Sequence, residues 1–200
     1  MSAPISTFIA SFTQEIARPS TFDVNIQVPV SLSSSSVSSA TLSLRCENAQ
    51  LPSRSFATIE QKFGSNPVET YPYQTSYGSS QLTFIVSGDM SEKKFFDSWM
   101  DLVMPTNNYN FNYKYNGSVQ NYVTPVVINQ YDATGKKVYS VTLNDAYPID
   151  IGQLDLDWST EGYHKLTVVF AYTYWSINTG ALAVRLSNGG TASTSTSLSF

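Results

Sequence analysis

From Phe22 to Val30 the apolar residues Phe22, Val24, Ile26, Val28 and Val30 alternate with Asp23, Asn25, Gln27 and Pro29. A period of two marks a strand with one face buried. Beyond a serine-rich loop at Ser33 to Ser39, Leu42, Leu44 and Cys46 alternate with Thr41, Ser43 and Arg45, which predicts a second strand. Leu82, Phe84 and Val86 predict a third, ended by Gly88. Then the period changes. Asp89 stands three residues before Glu92, the N-cap and N3 spacing of a capping box. Phe95, Phe96, Trp99, Met100, Leu102 and Val103 follow on one side of a helical wheel, with Lys93, Lys94, Asp97, Ser98 and Asp101 opposite. The pattern predicts one amphipathic helix over about 90–103, lying on a core and stopped by Pro105 and Asn107-Asn108.

The second half returns to strands. Tyr122 to Tyr131, a turn at Asp132-Ala133-Thr134-Gly135 and Lys137 to Leu143 read as a hairpin. Tyr147 to Ile151 and Leu154 to Trp158 continue the pattern. A turn at Ser159 to Gly162 leads into Tyr163–Trp175, a strand buried on both faces or paired with another subunit. Two stretches fit no period. Asn48 to Ser80 holds Pro52, Gly64, Pro67, Pro72 and Gly78, together with Phe56, Phe63, Tyr71, Tyr73 and Tyr77. A long loop so rich in aromatic residues reads as a partner surface rather than as disorder. After Leu186 the chain becomes a Ser/Thr-rich low-complexity tail. The expected organisation is one mainly β domain over 1–186, with a long loop at 48–80 and a tail at 187–200.

Composition narrows the chemistry. The 200 residues suit one core that needs neither disulfide nor metal. Eleven basic residues against fifteen acidic ones give a net charge of −4, which argues against a grip on phosphate backbone. Charged residues are only 13%, while thirteen tyrosines point to extensive contact with other protein. Residues 1–18 lack the basic start of a secretory signal, and no apolar run is long enough for a membrane span, so a cytoplasmic product is expected.

A single cysteine, Cys46, and a single histidine, His164, leave no basis for a disulfide, a zinc site or a thiol–imidazole pair with a recognisable signature. Both read as structural. Asp155-Leu156-Asp157 with Glu161 is the densest acidic cluster, but it lacks the glycine and the closing Glu of a calcium loop. Strand alternation would place Asp155 and Asp157 together on one face, opposite Leu154, Leu156 and Trp158. The plain reading is a solvated strand face, with a channel wall as the alternative because two like charges side by side are mildly destabilising. No catalytic centre and no cofactor are expected.

Four segments carry a resemblance: Ala17 to Phe22, Cys46 to Pro52, Gly152-Gln153-Leu154-Asp155-Leu156-Asp157-Trp158 and Tyr172-Thr173-Tyr174-Trp175. In this order and spacing the chain, over roughly 8–177, resembles the tail tube proteins of T-even-type contractile bacteriophages. The tail after about 187 and the Tyr-rich stretch Asn108–Tyr115 depart from that pattern. The resemblance implies an antiparallel β-sandwich or barrel-like fold with one outer helix, built into hexameric rings that stack into a tube. It implies a virion protein assembled in the host cytoplasm, with sheath, baseplate and terminator proteins as partners. DNA would pass through the lumen without specific binding. A tube initiator of the baseplate and a carbohydrate-binding β-sandwich remain alternatives. On this reading Pro52, Arg54, Phe56, Tyr71, Tyr73 and Tyr77 are expected in the ring-stacking contact. Asp155 and Asp157 are expected at the lumen, and Lys93, Lys94, Asp97, Ser98 and Asp101 against the sheath.

Overall fold

A computed structural model describes residues 5, 16–33, 37–107, 110–116, 119–159 and 161–178; the low-complexity tail at 187–200 lies outside them. The core is a seven-stranded antiparallel sheet. Its strands are β1 (Phe22–Ile26), β2 (Cys46–Ala49), β5 (Ser80–Ile85), β8 (Thr124–Tyr131), β9 (Lys137–Ile151), β10 (Lys165–Ala171) and β11 (Tyr174–Ile177). The order is β1-β8-β9-β10-β5-β2, with β11 also paired to β9.

The alternating residues fill one core. Val24 and Ile26, Val126 and Ile128, Val141 and Leu143, Leu82 and Phe84, and Leu166, Val168 and Phe170 are all buried. The long strand β9 organises the sheet: its first part pairs with β8 and β11, while Tyr147 to Ile151 pair with β10. The change of partner falls at Asp145, whose φ of 55° is a left-handed conformation that Asp tolerates. The sheet therefore turns a corner without ending, and the fold is mainly β and antiparallel, as expected.

Among the described residues two α-helices close the core where one was expected. The segment read as a second strand is helix α1 (Ser39–Arg45), which runs directly into β2. Ser38 caps it by accepting the Thr41 amide at 3.2 Å. Val37 and Leu42, at the positions of a hydrophobic staple, are both buried in the core. Leu44, expected to point inward, is 87% exposed. The predicted helix is α2 (Ser91–Val103), and its apolar face is buried as expected. Phe96 packs on Phe84 and Phe170 at ring distances of 5.1 and 6.2 Å. Trp99 is fully buried, and its indole N–H donates to the Tyr122 carbonyl at 2.7 Å.

The capping box is displaced. The residue before α2 is Met90, in a left-handed conformation with no side-chain cap. Glu92, completely buried, instead accepts the Ser87 amide at 2.9 Å and the Ser87 hydroxyl at 2.8 Å, and it pairs with Arg45 at the end of α1. One carboxylate thus ties the two helices to the end of β5.

Three further expectations are corrected. Asn48 to Ser80 is not a loop: it holds β3 (Arg54–Gln61) and β4 (Glu69–Tyr77), an antiparallel pair with a bulge between Ala57 and Thr58. Its turn contains Gly64 at φ 64°. Leu154 to Trp158 is irregular rather than a strand. Tyr163–Trp175 divides into β10 and β11 at Tyr172 and Thr173, and β10 lies between β9 and β5 within the sheet. Two-residue strands β6 (Tyr115–Asn116) and β7 (Val119–Gln120) form a small separate pair.

Candidate assembly surfaces

The β3–β4 hairpin is an arm. None of its strand residues is buried, and only Ala57 and Tyr77 are partly covered. Phe56, Ile59, Phe63, Val68, Tyr71 and Tyr73 stand exposed along it. A two-stranded hairpin with no packed face is marginal in water, so this arm has apolar surface and backbone order to gain from a partner.

Its root is fixed. The Arg54 guanidinium lies over the rings of Phe56 and Trp175, at 5.4 and 5.7 Å. The Trp175 indole donates to the Ser53 carbonyl at 3.3 Å, and Tyr77 meets Tyr172 edge-on at 6.4 Å. The six residues expected in a stacking contact therefore divide. Phe56, Tyr71 and Tyr73 are presented outward, with the Tyr71 hydroxyl donating to Glu69. Arg54 and Tyr77 hold the arm's direction, and Pro52 is half-buried just before it.

Asp155 and Asp157 occupy the irregular chain after β9. Gly152 donates to the Thr167 carbonyl at 2.7 Å as the last link to β10. Beyond it, side chains compete for hydrogen bonds: Gln153 donates to Asp155 at 2.7 Å, and Asp157 accepts the Ser159 amide at 3.0 Å and its hydroxyl at 2.9 Å. No strand forms here to set the two aspartates on one shared face. They line instead, with Leu156, Trp158, Tyr163 and His164, an open cavity of about 670 Å³. Leu156 is 85% exposed and Trp158 fully so.

The outer face of α2 is largely exposed, as expected, but its charges are engaged within the chain. Lys93 pairs with Asp97, Lys94 donates to the Asp89 carbonyl at 2.9 Å, and Asp101 accepts the Thr106 hydroxyl at 2.6 Å. The Ser98 hydroxyl donates to the Lys94 carbonyl. Asn112 caps the other end of the helix, its amide nitrogen donating to the Leu102 carbonyl at 2.7 Å. That anchor leaves Phe111 and Tyr113 exposed, a surface the sequence reading did not assign.

Cys46 is held within the chain, and His164 links the chain to the end of β5 through its backbone. The Cys46 thiol donates to the Asn48 carbonyl at 3.4 Å, and burial pushes its pKa up to about 12, the reverse of what a nucleophile needs. The His164 carbonyl accepts the Val86 amide at 3.0 Å. Among the described residues no group of three or more His, Cys, Asp or Glu side chains is placed to hold a metal, and no helix is long and apolar enough to cross a membrane.

Residues 17–178 match the family described as phage tail tube protein. Three cryo-EM structures share the fold. A chain of the anti-feeding prophage (AFP) baseplate is similar with a TM-score of 0.60 at 18% identity, over 85% of this chain and 100% of that one. A chain of the PVC sheath-tube complex in the extended state gives 0.58 at 13% identity, over 88% and 98%. A chain of the AFP tube-terminating cap gives 0.59 at 15% identity, over 84% and 93%. Among curated proteins none matches the chain.

Proposed function

The chain belongs to the phage tail tube protein family, with a structural role in the tail tube, and from that premise we propose that six copies close into a ring and that rings stack into the inner tube of a contractile tail. The observation that carries the stacking step is the β3–β4 arm, an ordered hairpin with apolar residues and no packed face of its own. Ring closure gives exposed sheet edges a partner, which is how closed β assemblies avoid open edges. The six-fold symmetry in the description of the AFP baseplate supports a six-membered ring, and the PVC sheath-tube complex supports a sheath around it. Lys93, Lys94, Asp97, Ser98 and Asp101 would meet that sheath through weak, reversible rim contacts. DNA would pass through the bore, and the net charge of −4 would keep phosphate from adhering.

The particle is where this protein would reside, after assembly in the host cytoplasm, with baseplate and terminator proteins at the two ends of the tube. We read no catalytic role in it. A second reading, a tube initiator within the baseplate, draws on the likeness to the AFP baseplate chain.

The test is negative-stain microscopy of the concentrated full chain beside a variant lacking Thr58–Tyr73. Ala57 pairs with Gln74, so this excision shortens both strands in register. Wild-type protein should form tubes and the variant single rings. Tubes of normal length from the variant would remove the arm from stacking, and wild-type protein that stays monomeric at every concentration would overturn the assembly role. Rings that stack only on a preformed end would favour the initiator.

A further inference from the structure

Strand β9 separates two poles of opposite charge. At its start, the β8–β9 turn exposes Lys136 and Lys137, and the backbone carbonyl of exposed Arg18 accepts the Gln130 side chain beside them at 2.6 Å. The one acid of that turn, Asp132, is held within the turn, where it accepts the Thr134 amide and hydroxyl at 2.9 and 2.6 Å and the Lys136 amide at 2.8 Å, and it offsets part of the Lys136 charge. At the far end of β9, at most roughly 45 Å of extended chain away, Asp150, Asp155, Asp157 and Glu161 are exposed. The nearby Lys165 is engaged with Glu47 at 2.6 Å.

The cavity at this second end joins Asp155 and Asp157 to the open ring of Trp158 and to exposed Leu156, while the Tyr163 ring at its edge already carries the Lys165 ammonium at 5.2 Å. Carboxylates beside aromatic faces are a chemical receptor for an ammonium group carried on an apolar stem. The turn at the first end offers two such groups on a narrow tip of Ala133, Thr134 and Gly135, whose φ of 81° lets the chain reverse tightly.

We propose that the cavity between Asp155 and His164 receives the β8–β9 turn of a second copy of this chain, joining subunits head to tail. Lys136 and Lys137 then lie against Asp155, Asp157 and the ring of Trp158. Like-with-like pairing of either pole would set equal charges together, so the contact is heterologous and open-ended. This rests on the stacked-ring reading and names a contact between successive rings separate from the arm.

The experiment is a charge swap in the full chain, read by sedimentation and negative-stain microscopy, with circular dichroism to confirm folding. K136E/K137E and D155K/D157K should each lower the fraction of protein in tubes at least tenfold while leaving folded subunits or rings. The fourfold variant should recover tubes, and wild-type tubes should shorten as salt rises. W158A should weaken stacking without altering its salt dependence. Normal tube yield from either folded double variant, or no recovery in a folded fourfold variant, overturns the proposal. Loss of tubes in K62E with none in K136E/K137E would hand the cavity to the arm's tip. Wild-type protein that forms no assembly overturns the stacked-ring reading itself.

Discussion

At the residue scale, the structure depends on a few side chains that the sequence shows without their partners. Glu92 is legible as a helix-start acid, yet its partner Arg45 lies 47 positions earlier and on a helix the alternation pattern conceals. Removing Arg45 leaves a buried carboxylate with only its serine donors. R45A should therefore cost about 3 kcal/mol, the lower end for breaking a buried pair because the Arg45 side is partly open to solvent. For a chain of this size that is a fall in Tm of roughly 6–12 °C, measurable by calorimetry. Cys46 gives a pH-dependent test. Its pKa is raised from 9.0 to about 12 in the fold, so its contribution to stability is complete below pH 9 and is lost as pH rises through 12. The stability advantage of wild type over C46A should shrink across that window in urea titrations. At pH 8 the thiol should react with a disulfide reagent far more slowly than after unfolding.

At the element scale, what the sequence revealed depended on what each element buries. Strands β1, β5, β8 and the first part of β9 press one face on the core, and their alternation made them readable. Beyond its root the arm presses neither face on the core, so no period was imprinted on Asn48 to Ser80, and an ordered hairpin read as a loop. The converse failure is Leu154 to Trp158, which alternates cleanly although Leu156 and Trp158 are exposed and the carboxylates turn to nearby amides and hydroxyls. Helix α1 was misread because Leu42, Leu44 and Cys46 alternate over too few residues to separate the two periods. The signal that would have found it is Val37-Ser38 followed by Leu42, a staple around a serine cap. S38A removes that cap and should cost about 1 kcal/mol, seen as a lower urea midpoint with an unchanged slope. A neutral result would mean that the staple alone sets the start of α1.

At the scale of the whole molecule, the mainly β class, the amphipathic helix and the family were within reach of the sequence, and Asn48 to Ser80 read as a partner surface, but the hairpin shape of that surface and the Asp155 cavity were not legible. Neither presses on this chain's own core, and the periodic pattern of a sequence records only that core. The exposed aromatic residues of the arm therefore read as a partner loop, and those of the Asp155 cavity as part of a strand. The bend at Asp145 carries a last consequence, a mechanical one. Because β9 passes the corner unbroken, one covalent strand runs from the β8–β9 turn to the Asp155 cavity, with neighbours hydrogen-bonded along both parts. Ladder bonds lie across the strand direction, so a load along β9 strains many of them together in shear, whereas a load across it opens them singly. Single-molecule pulling between thiols placed by K136C and D155C, in a chain that also carries C46S, should need higher force than pulling between K136C and a thiol at I177C on neighbouring β11. Equal forces along the two directions would show that the bend breaks the line of tension, and a subunit built as described is stiffest along the line in which its two charged ends point.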